Sequence, residues 1–72
     1  MNYRERIGQR IVQVRKSRGL TQRALAELSG VTYQNINKIE LGRYSVGIDV
    51  LGKIVDALGC KMDIVERIEE EQ

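Results

Sequence analysis

Only Gly30-Val31-Thr32 separates two short stretches that each carry apolar residues at helical spacing, and so tight a connection leaves the two helices little freedom in how they cross. The first stretch, Gln22 to Ser29, offers Leu25, Ala26 and Leu28 for burial. It stands behind Thr21, whose hydroxyl can accept a backbone N–H two or three residues on. The second, Tyr33 to Leu41, stands behind Thr32, again an N-cap type, and buries Ile36 and Ile39 with Val31 packing at the turn. Gly30 stops the first helix and supplies the positive φ the turn needs, and the small Ala26 falls where the helices cross. The outer face of the second helix is polar: Tyr33, Gln34, Asn37 and Lys38.

Helices are predicted on both sides of this pair. Tyr3 to Arg18 places Ile7, Ile11 and Val14 on one stripe and Arg4, Arg6, Gln9, Arg10, Gln13 and Lys16 mostly elsewhere, a helix with a basic outer face. Gly8 within it costs about 1 kcal/mol relative to Ala, which fits a place where another backbone approaches closely. Ser17-Arg18-Gly19 ends that helix. Leu41-Gly42-Arg43 closes the third, and Tyr44 to Gly47 reads as a loop. A fourth helix, Ile48 to Leu58, aligns Ile48, Leu51, Ile54, Val55 and Leu58 and ends at Gly59. Its Gly52 is either a close-packing site or an exposed weak spot. The tail supports two readings. Cys60 to Ile64 alternates apolar and polar as a half-buried strand does, while Asp63 and Glu66 resemble a capping box with Ile64, Val65 and Ile68 at helical spacing. A strand over 61–66 is favoured, and Glu69-Glu70-Glu71 is expected to fray.

At 72 residues the chain is expected to be one domain, 1–72, with its helical core at 3–59 and a strand or dimerisation tail at 60–68. A core so small gains from a partner subunit, so a homodimer is expected. There is no His and only one Cys, which rules out a Ser-His-Asp triad, a His or paired-Cys metal site and a disulfide framework. The acidic residues are scattered on helix exteriors and no Gly-rich phosphate loop follows a strand, so neither enzymatic activity nor a cofactor is expected. Cys60 is treated as a small structural hydrophobe. Apolar runs of two or three residues contain no membrane span and no signal-peptide core, which points to a cytoplasmic protein without membrane partners. A dedicated small-molecule sensor is not expected on this chain.

The net charge of +2 conceals a division. Residues 1–43 carry nine Lys/Arg against three Glu, a balance of +6, whereas residues 44–72 carry three against seven acidic groups, a balance of −4. Such asymmetry fits a polyanion-binding face at one end and a solubilising or partner-binding region at the other, without choosing between nucleic acid and an acidic protein. The two short helices and their Gly-containing turn do choose, because that arrangement is the pattern of a DNA-binding helix-turn-helix.

The stretch TQRALAELSGVTYQNINKIELGR, preceded by RKSRGL and followed by LGKIVDALG, resembles the phage-repressor and Cro family of helix-turn-helix proteins, which includes the lambda-repressor-like domains and the xenobiotic-response-element-type regulators. The likeness spans about Ile7 to Gly59. It rests on the Thr-Gln opening, Leu-Ala, Gly-Val-Thr, Ile-x-x-Ile-Glu-x-Gly and the closing Ala-Leu-Gly. The sequence departs from the pattern at Val46, where Pro is common, and at Gly52. The resemblance implies an all-α, four- to five-helix domain that binds operator DNA as a dimer, usually to repress transcription.

It also implies roles for individual residues. Base reading falls on Tyr33, Gln34 and Lys38, with Asn37 close by. Gln34 can pair with adenine, Lys38 can donate to guanine, and Tyr33 can pack against a thymine methyl. The plainer alternative for these positions is a solvated helix face. Arg43, Tyr44 and Asn35 are placed against the phosphate backbone, with Arg10 or Arg18 as further contacts that read equally well as solvated surface. Thr21 and Gln22, at the positive end of the second helix, can face a phosphate, although Thr21 serves as a cap in either case. The family pattern pairs Arg15 with Glu40, a two-pronged contact that would fix the third helix on its scaffold. Met62 and Ile64 read as core or interface residues, and a strand carrying them could pair with its copy in a second subunit.

The leading expectation is therefore a sequence-specific transcriptional regulator, a dimeric repressor that inserts helix 33–41 into the major groove of a palindromic site in double-stranded DNA. The alternative is an antitoxin-type interaction module that neutralises a toxin-like protein partner and regulates its own operon.

Overall fold

Three of the four helices begin where a side-chain oxygen meets an orphan backbone amide. The computed structural model describes residues 1–68. Helix α1 spans Tyr3–Ser17, α2 Gln22–Ser29, α3 Tyr33–Glu40 and α4 Ile48–Ala57. Thr21 Oγ1 accepts the Ala24 N–H at 3.0 Å and Thr32 Oγ1 accepts the Asn35 N–H at 3.2 Å, so both expected caps are present. The cap of α1 had no counterpart in the sequence reading. Asn2 Oδ1 accepts the Glu5 N–H at 2.9 Å while the Asn2 N–H donates to Glu5 Oε1 at 3.1 Å, a reciprocal capping box. Helix α4 starts at Gly47 without a side-chain cap.

The helix ends fall within a residue of expectation. Ser17 is the last residue of α1, and Leu41 and Leu58 cap α3 and α4 instead of extending them. Gly30 adopts φ +75°, the left-handed conformation that lets the chain leave α2 and enter Val31-Thr32 without a bridging segment.

The core is assembled from one or two residues of every element: Ile11 of α1, Leu25 of α2, Val31 of the turn, Ile36 and Ile39 of α3, Ile54 and Leu58 at α4. Leu25, Ile36 and Ile54 are fully enclosed. Helix α3 packs against α1 and α2, and α2 also packs against α4. The contact between α1 and α3 depends on Gly8. A Cβ there would collide with the Ile39 carbonyl oxygen and lie 2.8 Å from that of Glu40, so the two backbones touch where no larger residue fits.

Three expectations are corrected. Leu28 is 62% exposed, because the buried stripe of α2 runs from Leu25 to the i+4 position, Ser29, and not to i+3. Ser29 tolerates that burial by donating to the Ala26 carbonyl at 3.4 Å and accepting the Val31 N–H at 3.2 Å. Ile48 is 72% exposed, since the first turn of α4 extends beyond the core. The strand over 61–66 is not formed, nor is the alternative helix, and Asp63 Oδ1 accepts its neighbour's N–H, that of Ile64, at 2.8 Å. A single strand leaves its N–H and C=O groups unpaired, and among the described residues no other strand is available to pair with it. The fraying expected of Glu69 to Glu71 lies outside the described residues. No helix among those described is long and apolar enough to cross a membrane.

Candidate nucleic-acid interface

Helix α3 is held from behind by a buried ion pair. Arg15 leaves the last turn of α1, where its cation also suits the negative end of the helix dipole. Its Nε donates to Glu40 Oε2 at 2.6 Å and its Nη2 to Glu40 Oε1 at 3.0 Å, while Nη1 donates to the Leu20 carbonyl at 2.9 Å. One guanidinium thus ties together α1, the α1–α2 turn and the end of α3. The side chains are 10% and 3% exposed, so neither charge is solvated well enough to stand without the other.

Gln22 completes the arrangement. Its Nε2 donates to Glu40 Oε1 at 2.8 Å, and its Oε1 accepts from Asn37 Nδ2 at 3.4 Å. The first residue of α2 is therefore committed inward, to α3, as well as standing at a helix start that can face a phosphate. No buried side-chain nitrogen or oxygen among the described residues lacks a partner.

The outward face of α3 presents Gln34 and Lys38 as exposed side chains, with Tyr33, Asn35 and Asn37 half-buried beside them. Arg23 of α2 stacks over the Tyr33 ring, its guanidinium carbon 4.4 Å from the ring centre. Together with Arg15, Leu20, Thr21 and Gln22 these two line an open cleft where α2 begins. Arg43 and Tyr44 follow α3 and are exposed, and the Arg43 N–H donates to the Lys38 carbonyl at 3.0 Å, closing the helix end. Arg10 and Arg18 are exposed on and just after α1, and Arg10 donates to Gln13 Oε1 at 3.1 Å.

Met62 and Ile64 stand apart from this face. The Met62 methyl group lies 3.6 Å from where a Gly52 Cβ would be, and Ile64 is 94% exposed. Gly52 is thus a site of side-chain contact with the tail.

Two features of the site were absent from the sequence reading. The stacking of Arg23 on Tyr33 links positions ten apart in different helices, and the Gln22–Glu40 hydrogen bond links positions 18 apart. Each pair spans two helices across a turn, where helical periodicity carries no information, so no linear signal points to either. Among the described residues no group of His, Cys, Asp or Glu is arranged to hold a metal ion.

The arrangement suits a groove. A helix with its side chains is about 10–12 Å across and the major groove of B-DNA about 12 Å wide, so a short polar helix projecting from its scaffold can enter it.

Comparisons with known proteins bear on the same residues. The family profile HTH_3, helix-turn-helix, matches residues 11–65. The HTH-type transcriptional regulator PuuR of Escherichia coli K12 is 38% identical over 55 residues, covering 76% of this chain and 30% of PuuR. The immunity repressor protein of Bacillus phage phi105 is 36% identical over 59 residues, 82% of this chain and 41% of that one. Among solved structures, the clp gene regulator ClgR of Corynebacterium glutamicum is similar with a TM-score of 0.81 at 33% identity, over 85% of this chain and 78% of that chain. The chain spans less than a third of PuuR and less than half of the phage repressor. The matched stretch includes both helices of the tight pair and the residues that brace α3, and the chain belongs to the Cro and phage-repressor type of helix-turn-helix family.

Proposed function

We propose that the protein is a sequence-specific DNA-binding transcriptional regulator that acts in the cytoplasm as a homodimeric repressor, with residues 1–72 as one DNA-binding domain. The observation that carries this reading is the polar face of α3, which leaves Gln34 and Lys38 exposed while the rest of the helix is locked by Arg15, Glu40 and Gln22. A helix so braced presents its side chains to a partner without reorganising, which is what base readout requires. Tyr33, Gln34, Asn37 and Lys38 meet base edges. Thr21, Gln22, Asn35, Arg43 and Tyr44 meet phosphates and set the register. The regulators and the phage repressor to which the chain is similar support the same assignment.

Dimerisation follows from the tail. Met62 is 43% exposed, Ile64 94%, Val65 82% and Ile68 76%, a concentration of apolar surface that a second copy would cover. Two tails paired antiparallel would give the 61–66 segment the strand partner it lacks among the described residues of one chain. The dimer would place two α3 helices about 34–36 Å apart, one DNA turn, on a roughly palindromic site.

Selection of preferred duplexes from a random pool tests the proposal. A palindromic consensus should emerge, Gln34→Ala and Lys38→Ala should each relax one position of it, and Arg43→Ala should weaken all sequences alike. Log affinity should fall linearly with log salt, with a slope of about −0.9 per phosphate neutralised. Retention of no duplex, or binding indifferent to salt, would refute the reading. Ile64→Lys should shift sedimentation toward a monomer, and an unchanged species would refute the tail interface.

A further inference from the structure

The hydrogen-bond chain behind α3 has a direction. The Glu40 carboxylate has acceptors only, so the Gln22 group that meets its Oε1 at 2.8 Å must be the NH2. Gln22 Oε1 then faces the other way. The Asn37 group 3.4 Å from it must in turn be a donor, Nδ2. On an ordinary surface the two ends of an Asn carboxamide interchange at little cost, since both find water. Here a buried charge, itself held by Arg15, dictates the order of donors through two successive amides. With Nδ2 turned toward Gln22, the end of Asn37 turned away from it is the acceptor, Oδ1.

We infer that Gln22 is a positioning residue that holds Asn37 with Oδ1 outward, so that the nucleotide facing Asn37 is one that offers a hydrogen-bond donor in the major groove. This rests on the DNA-binding reading above and adds to it which bases one position accepts. Adenine offers N6 and cytosine offers N4 at that edge, whereas guanine presents N7 and O6 and thymine presents O4. A guanine or thymine facing Asn37 sets an oxygen against Oδ1 and leaves only the second N–H of Nδ2 to meet it, whereas adenine or cytosine satisfies Oδ1. The carboxamide cannot rotate to relieve the clash without leaving Gln22 Oε1 opposite an oxygen. Gln22 faces a phosphate through its backbone N–H, at the first position of α2, whereas its side chain acts on that base without touching it, so substituting the side chain separates the two roles. Losing a phosphate contact weakens every sequence equally, whereas releasing Asn37 alters the preference at one nucleotide.

The test selects duplexes with the wild-type chain, Asn37→Ala, Gln22→Leu and Gln22→Met, after each variant is checked for helix content by circular dichroism. Asn37→Ala should erase the preference at one nucleotide and so locate it. There the wild type should favour adenine or cytosine over guanine and thymine by about fivefold to a hundredfold, the range of one good base contact. In the Gln22 variants that ratio should collapse toward unity while the other positions keep theirs. A wild-type preference for guanine or thymine, a preference that survives both Gln22 substitutions, or an Asn37→Ala selection identical to wild type each overturns the inference. A second measurement needs neither DNA nor a variant. In the uncomplexed wild-type protein one side-chain amide proton of Asn37 should exchange with solvent more slowly than those of the exposed Gln34, and equal exchange overturns the inference whatever the DNA results. If the wild type selects no sequence, the DNA-binding reading fails and this inference with it. If it selects a consensus that ignores Gln22, only this inference fails.

Discussion

Removing the Glu40 carboxylate should cost more stability than almost any other single change in this chain. Glu40→Leu withdraws the acceptor of three hydrogen bonds, from Arg15 Nε at 2.6 Å, Arg15 Nη2 at 3.0 Å and Gln22 Nε2 at 2.8 Å. Arg15, whose side chain is 10% exposed, keeps only the Leu20 carbonyl as a partner for its charge. Hydrogen bonds to charged groups contribute about 1.5–3 kcal/mol each, but Arg15 lies close enough to the surface for water to replace part of what is lost. A cost of about 3–5 kcal/mol is expected, the usual range for orphaning one member of a buried pair. A chain of 72 residues has about 4–11 kcal/mol in total at typical stabilities per residue, so the variant should stand near the edge of folding. Arg15→Met should cost a similar amount by stranding a carboxylate whose side chain is 3% exposed. The double variant removes both charges and leaves two apolar side chains of comparable volume, so it should lose far less than the sum and exceed either single variant in stability. Urea unfolding followed by far-ultraviolet circular dichroism measures all four states of the cycle. A coupling of less than about 0.5 kcal/mol, the scatter expected of independent sites, would mean that the pair does not act as a unit and would refute the account of how α3 is held.

Three further outcomes follow from the fold. Gly8→Ala places a methyl group against the Ile39 and Glu40 carbonyls and should lower stability by about 1–3 kcal/mol despite the better helix propensity of Ala, so a stabilised variant would contradict the close approach of α1 and α3. Thr32→Ala leaves the Asn35 N–H without its acceptor and should cost about 1 kcal/mol, which thermal unfolding would register as a fall of about 4–8 °C. Leu28→Lys, at a position 62% exposed, should change stability by no more than about 0.5 kcal/mol in chemical denaturation, and a larger loss would place Leu28 in an interface or in the core.

The sequence was most informative where the deciding interactions are short in range. Thr21, Gly30 and Thr32 act on amides and φ angles within three residues of themselves, so their effect reads directly off the chain, and the α2 and α3 boundaries follow. The capping box of Asn2 and Glu5 is equally local and was available to inspection as Asn-x-x-Glu. Gly8 carried its message differently, as a residue whose propensity cost has to be offset by something nearby. What lay nearby was the backbone of α3.

Periodicity alone could not place Leu28, Ile48 or the tail. Positions i+3 and i+4 from Leu25 lie almost equally well on its stripe, and only the direction in which α2 meets α3 and α4 decides that the polar Ser29 is buried and the apolar Leu28 is not. A strand pattern likewise states a preference for pairing, not the existence of a partner, and residues 61–66 have none among the described residues.

The helices, their caps and the polar face of α3 were thus written into the chain by itself, because each depends on groups a few bonds apart. Which side chains meet behind that face was settled only by the crossing of α1, α2 and α3, which brings Arg15 and Gln22 each into hydrogen-bond contact with Glu40 although 25 and 18 residues separate the bonded pairs. Packing sets that crossing, through Gly8, Leu25 and Ile36 at the contacts, and the buried charge then selects the one amide that can satisfy it.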